Sequence, residues 1–548
     1  MIRKHVRWMA AITLASSLAL ATPGNLLAGQ TKDAAETVET TTPIKHVIVI
    51  FQENISFDHY FATYPYATNP TGESTFTGND NTPRVNNLLS GGLLTENPNS
   101  TQPFRMDTGV ASVTCDQNHS YTPEQQAVDH GLVDKYPEST GTGSTPSSPC
   151  NDYGKGTGVV MGYFDGNTVT AYWNYAQHFA MSDDSYGTMF GPSTVGALNL
   201  IAGTTDVATL APLKVNGKAS SASGVIANGL STGPILGDVR PLNDECMLTD
   251  PGLQTANMAS VAGKNVGDLL NAQNITWGWF EGGFAPTGFD ASGRAICGAH
   301  HVGLAGDDAV TQSSDGDYIP HHEPFQFYTS TQNLHHVQPS DPSLIGASSD
   351  GTNHQYDLSA FWTALGKDRL PAVTYLKAAA YQDGHPGYSD PIDEQNFVVS
   401  VINAITNSAY WNDTAIIISY DDSDGWYDHV LGPVVNQSAV ADDALAGSAD
   451  CGAATAVGTQ GQCGYGPRLP LLVISPYARQ NYVDHQAIDQ SSILRFIEDN
   501  WNLGRIGGNS SDAKAGTLNG LFDFTGSRRA SKLILDPATG LVLPQQLE

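Results

Sequence analysis

Two apolar runs constrain the fold of this chain more than any other feature of its sequence. The first extends from His46 to Phe51 and the second from Ala415 to Ile418, and both consist largely of isoleucine and valine. Runs without alternating polar residues are typical of strands buried on both faces of a parallel sheet. Each run is closely followed by a polar pair, Glu53-Asn54 or Asp421-Asp422. The sequence therefore predicts a covered sheet with polar side chains at two strand ends.

The rest of the chain supports an α/β fold. Strand-like segments alternate with helical ones, which is typical of βαβ units and of a mainly parallel central sheet with helices on both faces. The predicted helices span 265–273, 357–365, 391–406 and 486–501, and the predicted strands span 275–280, 372–376, 414–420 and 471–475. A further helix is expected around 197–202, with Ser193 or Thr194 as its N-cap. Residues 66–148 and 440–464 are predicted to form long loop insertions.

The N-terminus has the pattern of a secretory signal peptide. Arg3, Lys4 and Arg7 precede an apolar stretch, and small-residue cleavage patterns end at Ala21 or Ala28. We predict a signal peptide over 1–28, a polar leader over 29–42 and a single domain over 43–548, with a C-terminal extension after about residue 503. The protein is expected to be secreted or periplasmic. No later run is long and apolar enough to span a membrane, so no stable membrane insertion is expected.

The charge of the chain limits its partners. The formal net charge is −30 at pH 7, from 25 Lys and Arg residues against 55 Asp and Glu residues. Nucleic acid and anionic membrane surfaces both require a basic contact surface, so neither is expected as the main partner. An acidic protein that binds an anion needs a local positive site instead.

The cysteines are expected to form disulfides. The chain has six of them, an even number, without the paired spacing of a zinc site. Neighbours in sequence lie in three separate loop-rich regions, which favours the pairs Cys115–Cys150, Cys246–Cys297 and Cys451–Cys463. Buried free thiols are the alternative, but an exported protein meets an oxidising compartment.

The polar pairs at the strand ends suggest a metal site. Adjacent carboxylates such as Asp421 and Asp422 repel each other at close range unless something positive compensates them. Together with Glu53 and Asn54 they form an all-oxygen set that suits one divalent cation such as Mg²⁺, Ca²⁺ or Mn²⁺, while zinc and iron stay open. Taken alone, each pair is also compatible with a solvated turn or a helix cap.

Several histidines lie in loops beside Pro, Gly and acidic residues. They are His119, the pair His321-His322 and His385. Such positions suit anion binding or proton transfer. For each histidine taken singly, a structural hydrogen-bonding role is the alternative.

These motifs resemble a known family. Glu53-Asn54, the segment 56–61, the turn Gly191-Pro192-Ser193, His385-Pro386 and the segments 420–429 and 464–476 are similar to those of bacterial phosphoesterases, which include phospholipases C and acid phosphatases of the acid phosphatase A type. The resemblance extends from about His46 to Trp501. It implies a core like that of alkaline phosphatase.

Two motifs favour the acid phosphatase A subgroup. The chain has Ser193-Thr194-Val195-Gly196 after Gly-Pro, and Asp421-Asp422-Ser423-Asp424-Gly425 in the later motif, where phospholipases C usually differ. His321-His322 before Glu323 also resembles this subgroup. Trp426 departs from the pattern and is expected to narrow or reshape the entrance of the site.

The resemblance implies a role for each matched residue. Ser193 is the expected nucleophile and approaches the metal, and Glu53, Asn54, Asp421 and Asp422 are the expected metal ligands. Four histidines are expected to contact the phosphoryl group or the leaving group: His119, His321, His322 and His385. His385 is the preferred proton donor to the leaving alcohol.

The leading functional hypothesis is a secreted, metal-dependent acid phosphatase that hydrolyses small phosphate monoesters through a phosphoserine. Protonated histidines bind phosphate better, so an acidic optimum is expected. The first alternative is a phospholipase C that acts on phosphatidylcholine-like lipids, for which Trp277, Trp279 and Trp426 could form a choline cage. The second is a non-catalytic phosphate-binding protein. The identity of the metal, the natural substrate and the oligomeric state stay open.

Overall fold

The computed structural model describes residues 38–107, 113–206, 208–211, 214–215, 218–219, 224–250, 257–301, 303, 316–445, 451, 460–526 and 530–544 of the chain. The predicted signal peptide (1–28) lies outside these residues, as does most of the predicted leader (29–42). Within the described ranges, no helix has the length and apolar character needed to cross a membrane.

An eight-stranded sheet organises the fold. Its strands are β1 (His46–Gln52), β2 (Ala180–Ser182), β3 (Trp277–Glu281), β4 (Gln355–Asp357), β5 (Val373–Lys377), β6 (Thr414–Tyr420), β7 (Leu471–Ile474) and β8 (Tyr482–Asp484). Their order across the sheet is β4-β3-β5-β1-β6-β7-β2-β8. Strand β7 runs antiparallel to β6 and β2, and the other pairs are parallel. The predicted α/β class with a mainly parallel sheet is confirmed.

The carboxyl ends of the neighbouring strands β1, β5 and β6 lie side by side at one end of the sheet. Every residue of β1 and β6 is buried, as their apolar sequences predict. Strand β1 lies between the other two, so Val47 is opposite both Val373 and Ala415. At the carboxyl end Gln52 is opposite Tyr420. The residues that follow, Glu53 and Asp421, therefore begin side by side.

Helices and loops connect the strands. The longer helices and the short helix after β1 are α1 (Phe57–Phe61), α2 (Tyr121–Val128), α3 (Thr170–His178), α4 (Ser193–Ala202), α5 (Val266–Ala272), α6 (Leu358–Gly366), α7 (Pro391–Asn407) and α8 (Gln490–Trp501). They confirm the helices predicted at 265–273, 357–365, 391–406 and 486–501. The last begins only at Gln490, because Asp489 is its N-cap and accepts from the Ser491 N–H.

Helix α4 corrects one prediction. Its N-cap is Pro192, and Ser193 is the first helical residue, so neither Ser193 nor Thr194 is the N-cap. The Ser193 hydroxyl faces carboxylates of the neighbouring strand ends instead of the helix backbone. The helix also packs directly on the chain after β6, since a Cβ at Gly196 would lie 2.1 Å from the Asp421 carbonyl oxygen. This close approach holds the start of α4 beside the edge of the sheet.

Smaller elements and crosslinks complete the fold. A second sheet has four strands, Ala208–Ala211, Thr232–Gly233, Arg240–Pro241 and Met258–Val261. Disulfides join Cys115 to Cys150, Cys246 to Cys297 and Cys451 to Cys463, which confirms the predicted pairing. One hydrophobic cluster includes side chains from Ile44 to Leu535. The domain boundaries at 43–548 and about 503 remain a prediction.

Candidate active site

The ends of β1 and β6 place carboxylates against each other. The Asn54 backbone N–H donates to Asp421 Oδ1 at 3.0 Å, and the Asp422 N–H donates to the same oxygen at 2.7 Å. Asn54 adopts the left-handed conformation, with φ of 57°. Glu53, Asn54, Asp421 and Asp422 are all buried. The structure thus brings the four predicted metal ligands of the strand ends together.

Ser193 lies between two of these carboxylates. Its Oγ is 3.0 Å from Glu53 Oε2 and 3.2 Å from Asp422 Oδ2. A hydroxyl has one proton to donate, so it satisfies only one of these acceptors at a time. The second contact is favourable only if a carboxyl group is protonated or a cation lies among the oxygens. The nucleophile expected from sequence is therefore at the centre of the predicted ligand set.

The Asn54 side chain links the two strand ends. Its NH₂ group donates to Glu53 Oε2 at 2.6 Å and to Asp421 Oδ1 at 3.1 Å, and its amide oxygen accepts from His385 Nε2 at 3.2 Å. The carboxylate oxygens of Glu53 and Asp422 converge on the Ser193 hydroxyl, and oxygen ligands of this kind are those of a hard divalent cation. These residues therefore fit a metal, which the Asn54 amide oxygen can join only after the amide rotates.

The four predicted histidines surround this group. His322 Nε2 lies 3.4 Å from Glu53 Oε2 and is buried without a hydrogen-bond partner. The rings of His321 and His322 are 4.4 Å apart, and those of His119 and His385 are 6.0 Å apart. His119 Nδ1 is 3.1 Å from Asp424 Oδ1. All nine predicted site residues thus belong to one connected cluster.

Sequence analysis missed two charged residues of the cluster. Lys377, the last residue of β5, is buried and pairs through Nζ with Glu53 Oε1. Asp383 is buried nearby, and ligand atoms of Glu53, His322 and Asp383 lie within 4.8 Å of one another. A lysine directly after an apolar strand was the available signal, since the strand-end rule that selected Glu53 applies equally to β5.

Burial and mutual repulsion raise the pKa values of the carboxyl groups. Desolvation and the neighbouring Asp421 hold the pKa of Glu53 and of Asp422 well above their usual range. Desolvation does the same for the pKa of Asp383, against the effect of Lys377. Burial lowers the pKa of Lys377, but Glu53 and Asp421 raise it more, so its pKa lies above the usual value. One lysine does not compensate this much buried carboxylate.

The histidines divide into two electrostatic classes. Burial lowers the pKa of His322 well below its usual value, and Lys377 lowers it further. Burial also lowers the pKa of His385. For His119 the effect of burial is outweighed by Asp422 and Asp424, which hold its pKa well above the usual value. The surroundings therefore favour the charged form of His119 and the neutral forms of His322 and His385.

Comparison with known proteins identifies the family. The model of the phosphoesterase family matches residues 44–504. The chain belongs to the phosphoesterase family. The match covers all three strand ends and the start of α4, and therefore every predicted site residue of this phosphoesterase.

Curated relatives of this phosphoesterase include bacterial enzymes. It is 24% identical over 495 residues to the non-hemolytic phospholipase C of Pseudomonas aeruginosa, an alignment that covers 88% of this chain and 56% of that protein. It is 22% identical over 521 residues to phospholipase C B of Mycobacterium tuberculosis, with 92% of this chain and 82% of that protein covered. The chain thus spans little more than half of the first relative.

Solved structures are more distant. A protein of the alkaline phosphatase superfamily from Vibrio parahaemolyticus shares 12% identity, with 69% of this chain and 76% of that chain covered and a TM-score of 0.27. A TM-score of this size does not establish a shared fold. The assignment of this phosphoesterase to the α/β class rests on its own sheet.

The three tryptophans considered for a choline cage are buried. Trp426 is fully buried and stacks on His59 with ring centroids 4.0 Å apart, so the prediction that it shapes the entrance is wrong. The positive φ of Gly425, 72°, turns the chain so that the following side chain enters the core. Trp277 and Trp279 are also fully buried, in β3. These residues do not form an open cage.

A second buried cluster lies beside α1. Arg468 Nε is 3.1 Å from Asp428 Oδ1, and the Arg468 guanidinium also lies 3.4 Å from Asp58 Oδ1. His429 Nδ1 is 2.5 Å from Asp58 Oδ2. Ligand atoms of the two aspartates and the histidine lie close enough for a metal, but the guanidinium already supplies the compensating charge. We call these four residues the Arg468 cluster.

Proposed function

We propose that this phosphoesterase is a metal-dependent phosphoric ester hydrolase with Ser193 as its nucleophile. The observation that carries the proposal is the position of Ser193 Oγ, 3.0 Å from Glu53 Oε2 and 3.2 Å from Asp422 Oδ2. Both carboxylates are buried. A hydroxyl in this setting can lose its proton readily only when positive charge is close to it.

The proposed ligands of one divalent metal are the residues predicted from sequence, Glu53, Asn54, Asp421, Asp422 and the Ser193 hydroxyl. When bound there, a divalent cation supplies Lewis-acid stabilisation of negative charge on oxygen. Its identity is not part of the proposal, since Mg, Ca, Mn, Zn and Fe are all compatible with the donor set.

The protein residues have separate roles in phosphoryl transfer. Ser193 Oγ attacks phosphorus from the N-terminus of α4, where the helix dipole favours the negative phosphoryl oxygens. Protonated His119 contacts these oxygens, and His321 and His322 complete the phosphoryl contacts. Burial lowers the pKa of His385, so it carries a proton only at more acidic pH, where it protonates the leaving alcohol and then helps to activate the water that hydrolyses the phosphoserine. Little more than positioning and charge compensation is needed for this reaction.

For the substrate, we propose small phosphate monoesters, cleaved by a secreted enzyme with an acidic optimum. Support comes from the Ser193-Thr194 and Asp421-Asp422-Ser423-Asp424 motifs. The burial of Trp277, Trp279 and Trp426 is consistent with this choice, since it removes the aromatic side chains considered for choline.

A phospholipase C activity is the second candidate. Two relatives of this chain favour it, because both are named phospholipase C and are 22–24% identical to it. Both candidates use the same nucleophile and differ in the ester that enters the site. A diester would require room for a second substituent on the phosphate.

One purified sample can separate the candidates. Wild-type protein and Ser193→Ala are assayed with p-nitrophenyl phosphate and with phosphatidylcholine vesicles, and circular dichroism verifies the fold. We expect hydrolysis of the monoester by the wild type and none by the variant. Preferential release of phosphocholine would support the phospholipase instead. Full activity of folded Ser193→Ala with either substrate would contradict the mechanism.

A further inference from the structure

Glu124 connects two segments of the site. One is the nucleophile turn (190–193), which carries Ser193, and the other is the carboxylate loop (421–425), which follows β6. It lies on α2, in the segment closed by the disulfide Cys115–Cys150, and its side chain is buried. Its Oε2 accepts from the backbone N–H of Gly191 at 2.8 Å. Its Oε1 accepts from the hydroxyl of Ser423, also at 2.8 Å. Gly191 lies in the nucleophile turn before Ser193, and Ser423 directly follows Asp422.

The nucleophile turn depends on contacts from outside α4. Gly191 has φ of 121°, a conformation that residues with side chains rarely adopt. Pro192 is the N-cap but has no side-chain capping bond, and a proline has no N–H to donate. The turn is held by hydrogen bonds from the N–H groups of Phe190, to the Cys463 carbonyl, and of Gly191, to Glu124. Of these two partners, Glu124 also binds the carboxylate loop.

The same disulfide-closed segment makes further contacts with the carboxylate loop, besides that of His119 with Asp424. The Gln117 N–H donates to Asp424 Oδ2 at 3.0 Å. The Thr140 hydroxyl donates to the Gly425 carbonyl at 2.9 Å. Residues 115–150 thus contact this loop at several positions. Glu124 is the point at which this segment also reaches the nucleophile turn.

We propose that Glu124 is a positioning residue that sets the distance between Ser193 Oγ and the carboxylates of Glu53 and Asp422. The proposal rests on the proposed function of Ser193. Glu124 contacts the backbone of Gly191 and the hydroxyl of Ser423. It therefore acts on the reaction by fixing the positions of these two residues. Displacing the nucleophile by about 1 Å greatly lowers the rate of phosphoryl transfer, because in-line attack requires close alignment.

The role depends on geometry, so the neutral amide should preserve it. In Glu124→Gln, the side-chain oxygen can accept from the Gly191 N–H while the NH₂ group donates to Ser423 Oγ, because a hydroxyl is both donor and acceptor. Glu124→Ala removes both bonds. Ser423→Ala keeps the bond from Gly191 to Glu124 but removes the bond from Ser423 to Glu124, together with the Ser423 Oγ acceptor of the Gly425 N–H. A role for the negative charge of Glu124 would make the amide as harmful as alanine.

The test compares Glu124→Ala, Glu124→Gln and Ser423→Ala with Gln126→Ala, an exposed position on the same helix. Steady-state kinetics with p-nitrophenyl phosphate and with phosphatidylcholine, metal content and thermal unfolding are measured for each. We expect kcat of Glu124→Ala to fall about 100-fold with KM and metal content unchanged. Ser423→Ala should show a smaller fall in kcat. Glu124→Gln and Gln126→Ala should match the wild type.

The outcomes separate this inference from the proposed function. Wild-type turnover by folded Glu124→Ala would overturn the positioning role, and wild-type turnover by Ser423→Ala would do so if Glu124→Ala does not fold. A folded, metal-bound Glu124→Gln as slow as Glu124→Ala would also overturn it, because charge would then matter and not geometry. Lack of turnover by the wild type with both substrates would refute the proposed function, and the positioning role with it.

Discussion

The Ser193 site and the Arg468 cluster bury carboxylates to the same extent but balance their charge differently. In the Arg468 cluster, Asp58 and Asp428 face Arg468 and His429. Burial raises the pKa of Asp58, but His429 and Arg468 lower it more, so its pKa lies below the usual value. For Asp428, burial outweighs Arg468 and raises the pKa to about 6. In the Ser193 site, four carboxyl groups face Lys377 and His119: Glu53, Asp421, Asp422 and Asp383. The pKa values of Glu53, Asp422 and Asp383 are well above their usual range.

Burial of charged groups alone therefore does not indicate a functional site. Both clusters lie in segments that resemble the family motifs, and each includes a group of possible metal ligands. The Arg468 cluster is complete without an additional ion, because a guanidinium matches carboxylate geometry. The Ser193 site has an excess of carboxylate that its own side chains do not compensate. That excess supports the proposal that the metal and the substrate bind at the Ser193 site.

The largest expected effect is on turnover. Glu53→Gln removes a carboxylate that contacts Ser193, Lys377 and His322, and we expect it to abolish measurable hydrolysis. Asp428→Asn changes a carboxylate of similar burial and should retain turnover per folded molecule. Initial rates, corrected for the folded fraction, measure both. Equal loss of turnover in the two folded variants would contradict the assignment of different roles to the two clusters.

The next effect is on stability. Arg468→Met leaves Asp58 and Asp428 buried with reduced compensation, and we expect the free energy of unfolding to fall by about 3–5 kcal/mol. Urea denaturation measures the change. The fraction that stays folded should keep the wild-type kcat. A variant of unchanged stability that has lost its activity would assign the Arg468 cluster to catalysis.

The smallest effect is the pH dependence of His429. Burial lowers its pKa, but Asp58 raises it more, so the pKa in the folded protein lies above the usual value. A raised pKa stabilises the fold fully below the unfolded pKa of about 6.5 and loses this contribution as pH rises through the folded pKa. The difference in unfolding free energy between wild type and His429→Gln should therefore be largest at pH below about 6.5. A difference that grows as pH rises would contradict this sign.

The sequence was most informative where local pattern and sheet geometry coincide. Glu53 and Asp421 could be placed together because each follows a fully apolar run, and such runs end at one edge of a parallel sheet. The disulfide pairs were also predicted, since each joins neighbours in the sequence. In these cases the determining information lies within a short stretch of chain.

The sequence was less informative where partners are distant along the chain. Glu124 contacts Gly191 and Ser423, which lie 67 and 299 positions further along the chain, and it occurs in no local motif. Lys377 has a local signal, its place at a strand end, but its partner Glu53 is 324 positions away. Trp426 was expected at the entrance because it departs from the family pattern, whereas its ring in fact stacks on His59 after the turn at Gly425. The N-cap of α4 was misplaced because Ser193 has a stronger electrostatic partner than the helix backbone. Tertiary contacts decided each of these positions.

Metal stoichiometry tests whether a divalent cation compensates the carboxylates around Ser193 while the Arg468 cluster needs none. Inductively coupled plasma mass spectrometry is applied to wild type, Asp422→Asn and Asp428→Asn after dialysis against a divalent metal mixture. We predict one tightly bound metal ion per chain in the wild type and in folded Asp428→Asn, and none in folded Asp422→Asn. An active wild type without metal, or full metal content in Asp422→Asn, would contradict the account.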